Sequence, residues 1–301
     1  MPDTMLPTSM PPDPNPRRPT WTPPTGATDT HFHVLGPPHR FPFVETRRYN
    51  PPAAPFEHWE AMAAAIGVER GVIVQPTAHG VNNAAIMDAV ARSRGRLRAV
   101  VSFDRSVPDD ELARLKEQGA VGVRFSLMSD RPGATADIEA ALPRIQKLGW
   151  SLDLHIEPKF LLANEAFIRD LPVPVIFDHM CRVHPPEGPG QPAMQLMLDL
   201  LRDGGYWVKV SCADKISGVR EARTADGSLP YRDVVPFAAA CIEANPGRIL
   251  WGTDWPHGNN FKPGRIPNDG DLMSLLGEFT TDDATRRRIL VDNPAALYGF
   301  D

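Results

Sequence analysis

The sequence predicts a (β/α)8 TIM barrel, an α/β fold of eight parallel strands closed into a ring, preceded by a Pro-rich arm. Three observations carry this expectation. Apolar stretches of strand length alternate with amphipathic helical patterns, eight times over, from Ala27 onward. Several of those stretches are unbroken runs of Val, Ile and Leu, as parallel strands covered by helices require. Ionisable residues then follow nearly every strand, and the strand C-termini are where barrels of this kind keep their sites. A doubly wound open sheet is the alternative, but no Gly-rich phosphate turn follows an early strand.

The elements follow in order. Nine prolines between Pro2 and Pro24 forbid helix and sheet, so residues 1–25 read as an extended arm. Such an arm is disordered, or it drapes over its own domain or a neighbouring subunit. Residues 26–301 read as one domain. The strands are expected at Thr28–His33, Gly71–Gln75, Leu97–Phe103, Val121–Phe125, Ser151–Ile156, Val173–Asp178, Trp207–Ser211 and Ile249–Thr253. Helices are expected near Glu57–Ile66, Asn83–Ser93, Asp109–Gln118, Ile138–Leu148, Leu161–Asp170, Met194–Asp203 and Tyr231–Ala244. Three more, near Gly270–Glu278, Asp282–Val291 and Pro294–Tyr298, follow the last strand.

Composition narrows the function. The 301 residues are 42% hydrophobic and 23% charged, ordinary for a chain with a full core. A net charge of −5 argues against a nucleic-acid surface, yet it allows a local basic pocket for an anion. Cys181, Cys212 and Cys241 are odd in number and widely spaced, so reduced thiols and a cytoplasmic location are expected. No apolar run is long enough for a membrane helix.

The chemistry sits at the strand ends. His31 and His33 alternate with Phe32, so both imidazoles share one face of the first strand. That pairing suits metal binding or polarisation of a carbonyl. Asp254 follows the nearly uncharged strand Ile249–Thr253, where a partly desolvated carboxylate suits a general base or a metal ligand. His179, at the end of the sixth strand, is placed to donate to a developing oxyanion. Arg124 alternates with Val121 and Val123 and so faces the barrel interior, where a guanidinium needs an anion. That anion is either a substrate carboxylate or an acid of the chain. Arg131, Arg182, Arg220 and Arg223 in loops, and Arg47, Arg48 and Tyr49 after the first strand, are further candidates for holding a second carboxylate. His155 shares a face with Asp153 and Glu157 and is a candidate third nitrogen for zinc, with His31, His33 and Asp254.

These motifs carry a resemblance. The run Thr28-Asp29-Thr30-His31-Phe32-His33-Val34-Leu35-Gly36-Pro37, continued by Arg40-Phe41-Pro42-Phe43 and Arg48-Tyr49, resembles the amidohydrolase superfamily, in the branch of the 2-pyrone-4,6-dicarboxylate lactonases. Asp178-His179-Met180, Trp251-Gly252-Thr253-Asp254-Trp255-Pro256-His257 and the segment from Asp292 to Phe300 are similar to that branch as well. The resemblance implies hydrolysis of the ring ester of 2-pyrone-4,6-dicarboxylate to 4-oxalomesaconate, in the breakdown of lignin-derived aromatic acids. It implies that Asp254 activates water and that His31, His33 and His179 polarise the carbonyl. Arg124, Arg131, Tyr49, His257 and one of Arg220 or Arg223 would bind the small dicarboxylate lactone. No metal is required under this reading; zinc on His31, His33, His155 and Asp254 is the alternative. That alternative belongs to a zinc-dependent decarboxylase or a hydrolase of another lactone. A non-catalytic acid-binding barrel is the remote one. The oligomeric state stays open, a homo-oligomer included.

Overall fold

The computed structural model describes residues 6–128 and 134–301. In chain order β1 (Thr28–Phe32) is followed by α1 (Phe56–Ile66), β2 (Arg70–Val74), α2 (Ala84–Arg92), β3 (Leu97–Val101), α3 (Asp109–Glu117), β4 (Ala120–Ser126) and α4 (Ala134–Leu148). Next come β5 (Ser151–His155), α5 (Pro158–Ala163), α6 (Glu165–Arg169), β6 (Val175–Phe177), α7 (Pro192–Asp203), β7 (Tyr206–Lys209), α8 (Ala213–Ile216), α9 (Val235–Ala244) and β8 (Ile249–Leu250). Then α10 (Asp269–Phe279), α11 (Asp283–Arg287) and α12 (Asn293–Tyr298) follow. The strands lie in the order β1 to β8, and every neighbouring pair is parallel.

Hydrogen bonds close the ring between β1 and the segment after β8. Thr30 N donates to Trp251 O (2.9 Å), Asp254 N to His31 O (2.8 Å) and His33 N to Trp255 O (2.8 Å). The approach is close enough that a Cβ on Gly252 would lie 2.6 Å from His31 N, so only glycine fits. Asp29 locks the seam. Its Oδ1 accepts from His31 N (3.1 Å) and Thr253 N (3.0 Å), its Oδ2 from Thr253 Oγ1 (2.7 Å) and Trp59 Nε1 (3.2 Å). Asp29→Ala leaves these buried donors unpaired, so it is expected to lower stability by about 3 kcal/mol in urea unfolding. A loss below about 1 kcal/mol would deny Asp29 this role.

The strands are shorter than the sequence suggests, for local reasons. Pro174 has no N–H for the ladder, so β6 starts at Val175, although the Pro174 carbonyl still accepts from Leu152 N (2.9 Å). β8 ends at Leu250, because Thr253 N turns to the Asp29 carboxylate instead of a neighbouring strand. α8, which has no strong periodic signal, is one turn.

The barrel interior has two levels. Val72, Val74, Val100, Ile176, Trp207 and Leu250 pack with Tyr298 and Phe300 into an apolar plug at the strand N-termini. Arg98, at the start of β3, reaches the Gly299 carbonyl there. Above the plug the inward positions turn polar: Asp153, Lys209 and His31 are fully buried. Leu152 and Leu154 point outward into the layer under the helices. The described part of the arm lies along its own barrel: Trp21 Nε1 donates to Met273 O (2.9 Å) and Thr20 N to Ser274 Oγ (3.0 Å) on α10. No described helix is long and apolar enough to cross a membrane.

Candidate active site

His31 and His33 leave β1 on the same side, while Phe32 turns outward and stacks on Trp59 with centroids 4.0 Å apart. His33 Nδ1 lies 2.8 Å from Val74 O. A carbonyl only accepts, so Nδ1 carries a proton. His179 comes from the tight turn after β6. There His179, Met180, Cys181 and Arg182 all adopt left-handed φ values, from 48° to 56°. Non-glycine residues pay roughly 1–2 kcal/mol each for that conformation, and such strain clusters where a site dictates the backbone. Asp254 (φ 64°) and Cys212 (φ 60°) share it.

These turns converge on one oxygen. Asp254 Oδ1 lies 3.6 Å from His31 Nε2, 3.5 Å from His33 Nε2 and 3.7 Å from His179 Nε2. Its other oxygen, Oδ2, accepts from Cys212 Sγ (3.2 Å). Burial would push the Asp254 carboxyl up, but the imidazoles, His179 foremost, hold it well below the usual carboxylate range. Burial pushes His179 down to about 3, against the pull of Asp254 and Asp178. His31 is likewise lowered, chiefly by burial. The group is therefore an ionised carboxylate ringed by imidazoles, two of them held neutral.

Arg124 points inward from β4 as expected, and the chain does supply an anion: Nε donates to Asp178 Oδ2 (2.8 Å). Arg124 also lines a cavity of about 470 Å³ above Asp254. Arg47, Arg48, Tyr49, Arg182 and Lys215 line it too, so cations dominate its rim.

Several expected residues lie elsewhere. His257 is fully buried with Nε2 3.0 Å from Asp269 Oδ1, and it does not line the cavity, because that carboxylate holds it behind the loop. Arg220 is exposed and donates to the carbonyls of Asp214 (3.2 Å) and Lys215 (2.9 Å), and Arg223 is exposed as well. Neither lines the cavity; the loop after β7 presents Lys215 instead. His155 lines the cavity but turns its nitrogens to Ser126 Oγ (2.9 Å) and Arg182 (3.4 Å). It therefore does not complete the expected zinc set. Arg131 lies outside the described residues.

Beneath the carboxylate is a group at a strand end to which the sequence reading gave no role. Lys209 is wholly buried, its Nζ 2.5 Å from Asp153 Oδ2, 3.1 Å from Asp178 Oδ1 and 3.2 Å from His31 Nδ1. Burial works against its ammonium, yet Asp153 and Asp178 hold it above the usual lysine value. The signal was present: Trp207 and Lys209 share the inward face of a strand of large apolar residues, and a buried lysine demands counter-ions.

Among the described residues, ligand atoms of His31, His179 and Asp254 lie within 4.8 Å of one another. His31 Nε2 is buried without a hydrogen-bond partner. Tetrahedral donors about 2.0–2.1 Å from zinc sit about 3.3 Å apart, so the spacing around Asp254 Oδ1 accommodates such an ion. His31, His179 and Asp254 would hold it, with His33 alongside, and it would supply a Lewis acid.

Known proteins resemble this chain over most of its length. A 4-sulfomuconolactone hydrolase of Hydrogenophaga intermedia is 41% identical over 279 residues, covering 92% of this chain and 89% of that protein. A 2-pyrone-4,6-dicarboxylate hydrolase of Comamonas testosteroni is 37% identical over 287 residues, covering 94% and 93%. The crystal structure of a probable 2-pyrone-4,6-dicarboxylic acid hydrolase of Acinetobacter baumannii, with citric acid bound, superposes with a TM-score of 0.77 at 28% identity. It covers 92% of this chain and 100% of that one. The amidohydrolase family model matches residues 28–300, and the chain belongs to that family.

Proposed function

We propose that this chain is a lactonase that opens the ring ester of a small lactone bearing two anionic groups, 2-pyrone-4,6-dicarboxylate giving 4-oxalomesaconate. The observation that carries the reading is the ionised Asp254 oxygen, ringed by three imidazole nitrogens beneath a cation-rimmed cavity. Asp254 takes a proton from water as the water oxygen bonds to the ring carbonyl carbon. The carbonyl oxygen gains the displaced electron pair, and imidazole N–H groups stabilise it by a few kcal/mol per donor. Ser211 Oγ lies 2.8 Å from His179 Nδ1; its hydroxyl donating there leaves the His179 proton on Nε2, facing the reaction. His33, its Nδ1–H given to Val74, holds Nε2 beside Asp254 Oδ1, where it meets the reacting groups. The tetrahedral intermediate then expels the ring oxygen as an enolate, which Asp254 protonates. Arg124 and the rim cations hold the two anionic groups throughout.

4-Sulfomuconolactone, also a small lactone with two acidic groups, is the second reading, because the relatives bearing that name are 41% and 40% identical. Loss of pyrone ultraviolet absorbance on adding enzyme is the expected result, unchanged by chelator, with 4-sulfomuconolactone assayed in parallel. Turnover of neither lactone would overturn the lactonase reading. Turnover lost on chelation and restored by zinc would favour zinc-dependent chemistry.

A further inference from the structure

We infer that Lys209 is a positioning residue that fixes the proton of His31 on Nε2, making this imidazole a hydrogen-bond donor to the reacting carbonyl instead of a metal ligand. The inference deepens the lactonase reading and rests on it for the word "reacting"; the proton assignment itself rests on geometry alone.

His31 Nδ1 faces two groups at the same distance. Lys209 Nζ is 3.2 Å away and Asp178 Oδ1 is 3.2 Å away. The two demand opposite things. An ammonium has protons and no lone pair, so it donates to a bare Nδ1; a carboxylate accepts, so it wants Nδ1–H. Alignment separates them: the Lys209 contact has hydrogen-bond geometry, whereas Asp178 Oδ1, itself 3.1 Å from Lys209 Nζ, is not aligned to accept from Nδ1. Asp178 is otherwise engaged, its Oδ2 taken by Arg124 Nε (2.8 Å). Lys209 itself is locked by Asp153 Oδ2 (2.5 Å) and has no solvent route by which to turn away. With Nδ1 accepting from Lys209, the proton of the neutral ring sits on Nε2. That nitrogen has no other partner and lies 3.6 Å from Oδ1 of Asp254, which lines the cavity.

The consequence reaches the metal question. The donors around Asp254 have zinc-like spacing, but a nitrogen bearing a proton on its outward side has no lone pair for an ion. Metal-ligating histidines ordinarily hand their other N–H to a carboxylate or carbonyl. Asp178 stands where it could play that part for His31, and Lys209 takes its place. The buried ammonium thus separates two uses of one set of side chains.

The test replaces the lysine. In Lys209→Met, Asp178 becomes the remaining neighbour of Nδ1, so the His31 proton is expected to move from Nε2 to Nδ1. Long-range ¹H–¹⁵N correlation spectra of the full chain report that switch directly. The variant is also expected to retain one equivalent of zinc after incubation with ZnCl₂ and desalting, where the wild type retains much less. On the lactone it is expected to lose about a hundredfold in kcat with little change in KM, the cost of one oxyanion donor. Should Lys209→Met fail to fold, the charge-balanced pair Lys209→Met with Asp153→Asn carries the same expectations. A wild-type His31 with its proton on Nδ1, or a variant with unaltered tautomer and zinc retention, would overturn the inference. A wild type inactive on every lactone would instead sink the functional reading and leave the tautomer and zinc results to judge Lys209.

Discussion

Asp254→Asn is expected to lower kcat by about a thousandfold while KM stays within a few-fold of the wild-type value. The amide keeps the shape and can still accept from Cys212 Sγ, but it cannot take a proton from water. The cavity rim, proposed to bind the substrate's charges, is untouched. A carboxylate held well below its usual range is a modest base in water. Here the oxygen that must act lies within 3.7 Å of all three imidazoles, in a site that water reaches only through the cavity. Position and desolvation during the reaction then supply what basicity does not. Steady-state kinetics on the lactone decide the matter, with the intact fold checked by thermal melting. Undiminished turnover would remove Asp254 as the base. A parallel rise in KM, with kcat intact, would make it a binding residue instead.

How much of this was legible in the sequence depended on the kind of signal. The eight-stranded ring could be read because parallel strands under helices leave runs such as Gly71–Val74 and Ala99–Val101, apolar on both faces. His31, His33, His179 and Asp254 were legible because each sits at the C-terminal end of a strand, the one place where a barrel gathers distant segments. What sequence did not settle was direction within loops. His257 is three residues after Asp254, yet Asp269 captures it on the far side of the turn. Arg220 looked like an anchor, but backbone carbonyls take its guanidinium, and Lys215 is the cation that faces the cavity. Lys209 and Asp178 stand at strand ends, but their role was not legible, for a different reason. Their importance lies in an ion pair between the ends of the adjacent strands β6 and β7, 31 positions apart in the chain, and no local pattern records which side chains meet between neighbouring strands.

Arg124→Met is the second large effect, and it is expected to act on two quantities at once. Removing a charge-assisted anchor for a substrate anion should cost about 2 kcal/mol in kcat/KM, roughly thirtyfold, expressed mainly in KM. The same guanidinium neutralises the buried Asp178, so the variant is also expected to lose about 3 kcal/mol of stability in urea. Lys209, 3.1 Å from the other Asp178 oxygen, keeps that carboxylate from being wholly uncompensated. The kinetic measurement is therefore made well below the variant's melting temperature. Arg124→Lys separates the two roles. A lysine restores the positive charge but not the planar fork that serves Asp178 and a substrate anion together, so partial recovery of stability with KM still raised is expected. A normal KM in Arg124→Met would confine Arg124 to its ion pair with Asp178 and leave the rim cations, Arg47, Arg48, Arg182 and Lys215, as the substrate's anchors.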